Sequence, residues 1–149
     1  MPRLHPVFPA DLPTDVHGQF AALCWRRAKV GHQVLLITSR DTGRWVLPKG
    51  WPIPGLAPHA AAAQEAWEEA GVEGRAAPDP IGFYSYQKLG ANRARHVVAA
   101  VFALKVKKLA RDFPESGQRR LKWFRPEKAA TKVAEPELAA LLAAWQPEG

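Results

Sequence analysis

Short apolar runs alternate along this chain with clusters of Pro, Gly, Asp and Asn, and that punctuation predicts its elements. Residues 19–28 are apolar and β-prone, Lys29-Val30-Gly31-His32 supplies turn chemistry, and residues 34–38 form a second buried run, so the pair reads as a β-hairpin. Asp41-Thr42-Gly43 makes the next turn and leads into a short strand at 45–47. Further strands are expected at 72–77, 81–89 and 97–107, with a short one at 122–124. Two segments carry helical signals. Between Gly50 and Val72 lies an Ala-rich stretch in which Pro58 suits a first turn and Gly71 a left-handed stop. In residues 136–145, Leu138, Leu141, Leu142 and Trp145 recur at helical spacing and read as a packing stripe. Residues 1–16, broken by prolines and without periodicity, read as an irregular arm, and 17–149 as a single domain. Strands on either side of a central helix, with a second helix at the end, predict an α/β domain: a mixed sheet with helices on both faces.

The central helix carries the candidate chemistry. Glu65, Glu68 and Glu69 stand at i, i+3 and i+4, which places all three carboxylates on one side of the rod. Like charges at this spacing repel, so the helix gains nothing from them unless something positive compensates. A cluster of carboxylate oxygens on a rigid element suits a hard divalent cation that keeps positions for water and substrate phosphate. Taken alone, the three glutamates read more simply as a solvated acidic face. The flanks change that reading: Arg44-Trp45-Val46-Leu47-Pro48-Lys49-Gly50 is an apolar strand ending in a Pro, a cation and a Gly, where backbone carbonyls can turn toward a metal.

This strand, loop, helix and stop resemble the Nudix hydrolases, whose signature is G-x5-E-x7-R-E-U-x-E-E-x-G-U, with U a bulky aliphatic residue. Gly50, Glu65, Glu68, Glu69, Gly71 and Val72 fall in register. The first Glu of the pattern is Leu56 here, the Arg is Gln64, and the first U is Ala66. Leu56 and Gln64 replace a pair that braces loop and helix in the family; losing both together leaves no unpaired charge behind. Thr38-Ser39-Arg40, the run 44–50, and Phe113-Pro114-Glu115 leading through Arg119 and Arg120 to Trp123-Phe124 are similar to the diphosphoinositol and diadenosine polyphosphate hydrolase branch. The resemblance implies an α/β/α sandwich, phosphoanhydride hydrolysis, and Mg²⁺ or Mn²⁺ held by Glu65, Glu69 and the Gly50 carbonyl. It also implies Glu68 as the base, with Glu115 as the alternative. Arginine forks suit phosphate oxygens and a lysine acts as a point charge. Ser39, Arg40, Lys49, Arg93 and Arg95 are therefore the candidate substrate contacts, and the basic run from Arg119 to Lys122 could join them. Tyr84 and Tyr86 read more readily as strand packing than as contacts to a base.

Composition sets the outer limits. A chain of 149 residues with 47% hydrophobic and 23% charged residues can bury a core in one domain. Its one cysteine, Cys24, excludes an intrachain disulfide framework and a Cys-rich zinc site. No apolar run suggests a membrane span and the Pro-broken start is unlike a signal peptide, so a cytoplasmic protein with no membrane partner is expected, as monomer or homodimer. The net charge of +7 draws acidic partners without naming one: a small phosphorylated substrate fits, and nucleic acid is the weaker candidate because no nucleic-acid-binding motif is present. Two readings compete with the enzyme. One is a Nudix-fold module that binds nucleotides or RNA with little turnover, motivated by Leu56 and Gln64. The other is a general nucleic-acid binder favoured by charge alone.

Overall fold

The computed structural model describes residues 4–90 and 94–148. Its elements are β1 (Val16–Arg27), β2 (His32–Thr38), β3 (Trp45–Val46), β4 (Lys49–Gly50), α1 (Pro58–Ala70), β5 (Val72–Ala76), β6 (Gly82–Leu89), β7 (Ala94–Leu109), β8 (Leu121–Phe124), α2 (Pro126–Lys132) and α3 (Pro136–Ala144). The eight strands form one mixed sheet. β1 and β7 run parallel at its centre, from Val16 beside His96 to Trp25 beside Lys105. The remaining pairings are antiparallel, and β1 with β2 is the expected hairpin, Trp25 facing Val34. β7 is long enough to serve two partners, β6 along its first half and β5 along its second.

Period-2 alternation along the two central strands sorts the core into two layers. Phe20, Ala22, Cys24, Ala100, Phe102 and Leu104 face α1. Ala21, Leu23, Trp25, Ala99, Val101 and Ala103 face α2 and α3. Each fully buried Leu or Phe removes enough apolar surface to contribute about 1.5–3 kcal/mol, so the double-sided centre of the sheet carries most of the stability. Helices therefore cover both faces, the α/β/α sandwich that the sequence predicts.

The arm before β1 forms turns only, yet Phe8 is buried and stacks on Phe20 with ring centroids 5.8 Å apart. α1 starts with Pro58 at its first turn and ends where Gly71, at φ 68°, gives its N–H to Ala66 and Trp67. α2 is an element the sequence reading did not contain. A seven-residue helix that buries only Ala129 displays no periodicity to find. Among the described residues, no helix is long and apolar enough to cross a membrane.

Candidate functional site

α1 buries Ala61, Ala62, Ala66 and Ala70, and these small side chains let its axis lie close to the sheet. The closeness brings Glu65 onto the backbone of β4. A Cβ built at Gly50 would stand 2.3 Å from the Glu65 carboxyl carbon, so only glycine allows this strand and this carboxylate to meet. Glu69, one turn further, is 7% exposed and hydrogen-bonds Glu65. Burial pushes the Glu69 carboxyl up to about 8, with the neighbouring Glu65 adding to it and Arg119 and Lys49 opposing. Glu65 is also raised, chiefly by burial, with Glu68 and Glu115 contributing. The pair lies in the last two turns of α1, where the helix dipole further disfavours negative charge.

The cleft beside this pair has a volume of about 430 Å³. Ser39, Arg40, Lys49, Gly50, Glu65 and Glu69 all line it, so six of the nine predicted site residues come together. Three do not. Glu68 lies outside the lining; its carboxylate accepts a 2.8 Å hydrogen bond from the Gln64 side-chain amide. Arg95 is exposed on β7, opposite Lys88, and also lies outside the lining. Arg93 lies outside the described residues. Leu56 is 42% exposed, so it does not substitute for the family's brace by packing, and Gln64 turns to Glu68 instead.

Arg119 is the hub that the sequence named only as part of a basic run. Its Nη1 donates to the Thr38 carbonyl at 3.1 Å, its Nε and Nη2 to Glu115 at 3.3 and 3.0 Å, and Nη2 stands 3.8 Å from Glu69. Arg119 thereby ties the end of β2, the loop after β7 and α1 together. The i, i+4 spacing of Glu115 and Arg119 was the available signal. The other cations of that run turn away, Arg120 onto the Trp45 ring and Lys122 onto Phe124. Glu115 itself lines the cleft, and its backbone N–H donates to the Glu68 carbonyl at 3.0 Å, which docks the loop on α1. Arg40 reaches the same carboxylate at 3.6 Å and donates to Gln118 at 2.9 Å.

Across the cleft, Lys49 stands 5.2 Å from the centre of the Tyr86 ring, whose hydroxyl hydrogen-bonds Gln19. Burial pulls the Lys49 ammonium below its ordinary value while Glu69 and Glu135 pull it back. A larger cavity, about 640 Å³, lies under the arm, but its described lining is mostly proline and apolar residues with His5 as the one titratable group.

The donor set fits a hard divalent cation. Two mutually buried carboxylates sit in a cradle that a Cβ would fill, and burial resists their joint ionisation unless a cation offsets it. Among the described residues no three His, Cys, Asp or Glu side chains cluster for coordination. The protein would therefore supply Glu65, Glu69 and the Gly50 carbonyl, leaving other positions to water and phosphate.

Comparison with known proteins agrees with this fold. Residues 17–145 match the family described as the NUDIX domain. Over 119 residues the chain is 33% identical to the Mus musculus diphosphoinositol polyphosphate phosphohydrolase 3-alpha, covering 78% of this chain and 69% of that protein. The fold is shared with a C. elegans Ap4A hydrolase in a binary complex, at TM-score 0.62 and 21% identity over 85% of this chain and 92% of that one. It is also shared with the E. coli dihydroneopterin triphosphate pyrophosphohydrolase, at TM-score 0.64 and 13% identity over 87% and 94%. The family match spans nearly the whole sandwich and includes the glutamate-bearing helix, so this chain belongs to the Nudix hydrolases and is a Nudix pyrophosphohydrolase.

Proposed function

We propose that the protein hydrolyses a phosphoanhydride bond in a nucleoside or inositol polyphosphate, with Glu65, Glu69 and the Gly50 carbonyl holding Mg²⁺ or Mn²⁺. The observation that carries this reading is the buried Glu65–Glu69 pair cradled on Gly50, with Lys49 and Arg119 beside it. A divalent ion there supplies charge neutralisation for the phosphates and a lower pKa for water. The chain's own residues do the rest. Lys49 places a point charge along the polyphosphate, and the half-exposed Arg40 guanidinium forks onto phosphate oxygens at the mouth, with Ser39 beside it. Arg119 holds Glu69 and Glu115 at fixed positions.

For the attacking water's proton, the geometry favours Glu115 over Glu68. Glu115, though it accepts from Arg119, lines the cleft, whereas the Glu68 carboxylate lies outside the lining. A general base must come within hydrogen-bond reach of the proton it takes, directly or through one water.

Phosphate release with Mg²⁺ and with Mn²⁺, across diadenosine polyphosphates, diphosphoinositol polyphosphates, ADP-ribose and nucleoside triphosphates, tests the reading. Metal-dependent turnover of one class is expected, with Glu115→Gln lowering kcat by about 10²-fold or more and Glu68→Gln lowering it less. The reverse order would return the base to Glu68. No turnover of any compound would replace the enzyme with a binding module.

A further inference from the structure

The cleft crosses the rim of the sheet. Glu65 and Glu69 reach it from the α1 side, while Lys49 and Tyr86 reach it from the side that α2 and α3 cover. On this second side, beyond β4, stands Trp51. It is 36% exposed, lines the cleft, and is held edge-on by His17, ring centroids 6.2 Å apart at 77°. A T-shaped brace fixes a ring's tilt and occupies at most one of its faces. The other aromatic ring described in the lining is already engaged: Tyr86 has the Lys49 ammonium over it and Tyr84 stacked on it at 6.1 Å.

The lining's described cations are Arg40, Lys49, Lys88 and Arg119, of which Arg119 is paired to Glu115 at 3.0 Å. An inositol polyphosphate carries phosphate around a saturated ring and offers no π face to an indole. A nucleoside polyphosphate needs cations along one short chain and an aromatic plane at its end. The metal pair, Lys49 and Trp51 present those features in one cleft.

We infer that Trp51, braced by His17, is the specificity-determining residue of this cleft, stacking on a nucleobase and selecting nucleoside polyphosphates over inositol polyphosphates. This rests on the phosphoanhydride reading, so the test separates the two. Calorimetric titration in Mg²⁺ of the non-hydrolysable α,β-methylene analogue of ADP, and of methylenediphosphonate as its base-free counterpart, is run on wild type, Trp51→Ala and Trp51→Phe. The nucleotide analogue is expected to bind wild type about tenfold more tightly than the base-free probe, the scale of one base–aromatic stack. Trp51→Ala should abolish that preference, Trp51→Phe should keep most of it, and methylenediphosphonate should bind all three alike. Equal affinities in wild type, no binding of the nucleotide analogue, or a Trp51→Ala loss shared by both probes would overturn the inference. Turnover of a diphosphoinositol polyphosphate but of no nucleotide would also overturn it while sustaining the phosphoanhydride reading. Absence of any turnover would defeat that reading alone, leaving the binding comparison to decide Trp51.

Discussion

The two helical layers cover the same sheet in opposite ways. α3 buries Leu138 and Leu142 at i and i+4, large side chains that fill the space between helix and strands. α1 buries four alanines and one glutamate. Large side chains hold a helix off and exclude water. Small ones bring it close and let the polar positions at its end touch a strand backbone. One face is thus built to be stable, the other to hold charge where burial resists it, and substitutions on the two faces should report on different quantities.

The sharpest break in that contrast is Glu69→Gln. Gln imitates the protonated carboxyl that burial favours in the metal-free fold, so melting without metal should stay near that of wild type, while activity falls by about a thousandfold or more, the several kcal/mol that metal chemistry contributes at tenfold per 1.4 kcal/mol. Phosphate release and thermal melting on the same preparation decide it. Activity that survives would remove Glu69 from the metal site. The converse substitution, Leu138→Ala, should cost about 2–5 kcal/mol of stability through the cavity it leaves, while kcat below the lowered melting temperature stays near that of wild type.

Gly50→Ala tests the point where the two properties meet. A methyl group there would overlap the Glu65 carboxyl, so either the side chain or β4 must move. About 1–3 kcal/mol of stability should be lost, together with tight metal binding, measured by titrating Mn²⁺ against the folded protein. Wild-type metal affinity in this variant would show that the Gly50 backbone takes no part in the site.

How far these features were legible in the sequence follows from whether they are local. The hairpin turn, the Gly71 stop and the α3 stripe depend on neighbours within a few residues, and all are found as expected. The parallel pairing of β1 with β7 joins segments about eighty residues apart, which no periodicity specifies. Glu68 and Glu115 illustrate the same limit in the site. From spacing, Glu68 shares a helical side with Glu65 and Glu69. Its carboxylate nonetheless turns to Gln64, while loop docking on the Glu68 carbonyl delivers Glu115 to the cleft. Arg119 and Arg120 are adjacent in sequence and opposite in fate: Arg119 donates to the Thr38 carbonyl, while Arg120 lies over the Trp45 ring.

Acidity separates the faces more gently. With the folded Glu69 carboxyl at about 8 against an ordinary 4.5, the folded metal-free chain keeps a proton that the unfolded chain has released between those values. The associated stability is fully present below about pH 4.5 and lost as pH rises toward 8. A divalent ion bound at this pair would displace that proton. Melting in EDTA should therefore fall across this window, and the increment restored by Mg²⁺ should grow with pH. An increment independent of pH would mean the ion binds elsewhere.

On the opposite face the sign reverses. His32 is buried between Trp25 and Trp145, at ring distances of 6.4 and 5.4 Å, and its Nε2 has no hydrogen-bond partner. Burial lowers its pKa from the ordinary 6.5; Arg27 adds to the lowering and Glu127 opposes it. The unfolded chain thus binds a proton that the folded chain refuses. Stability from this group is present above about pH 6.5 and is lost as pH falls below it. A single proton limits the slope to about 1.4 kcal/mol per pH unit, so this is the smallest of the expected effects. His32→Phe keeps an aromatic ring between the two indoles and removes the titration. Chemical denaturation from pH 7.5 to 5 in EDTA should show a flatter acid limb in the variant, while the opposing Glu69-dependent trend persists in both proteins. Identical acid limbs would mean that His32 accepts its proton without leaving the aromatic cage, and the two faces would then differ in charge at the α1 end alone.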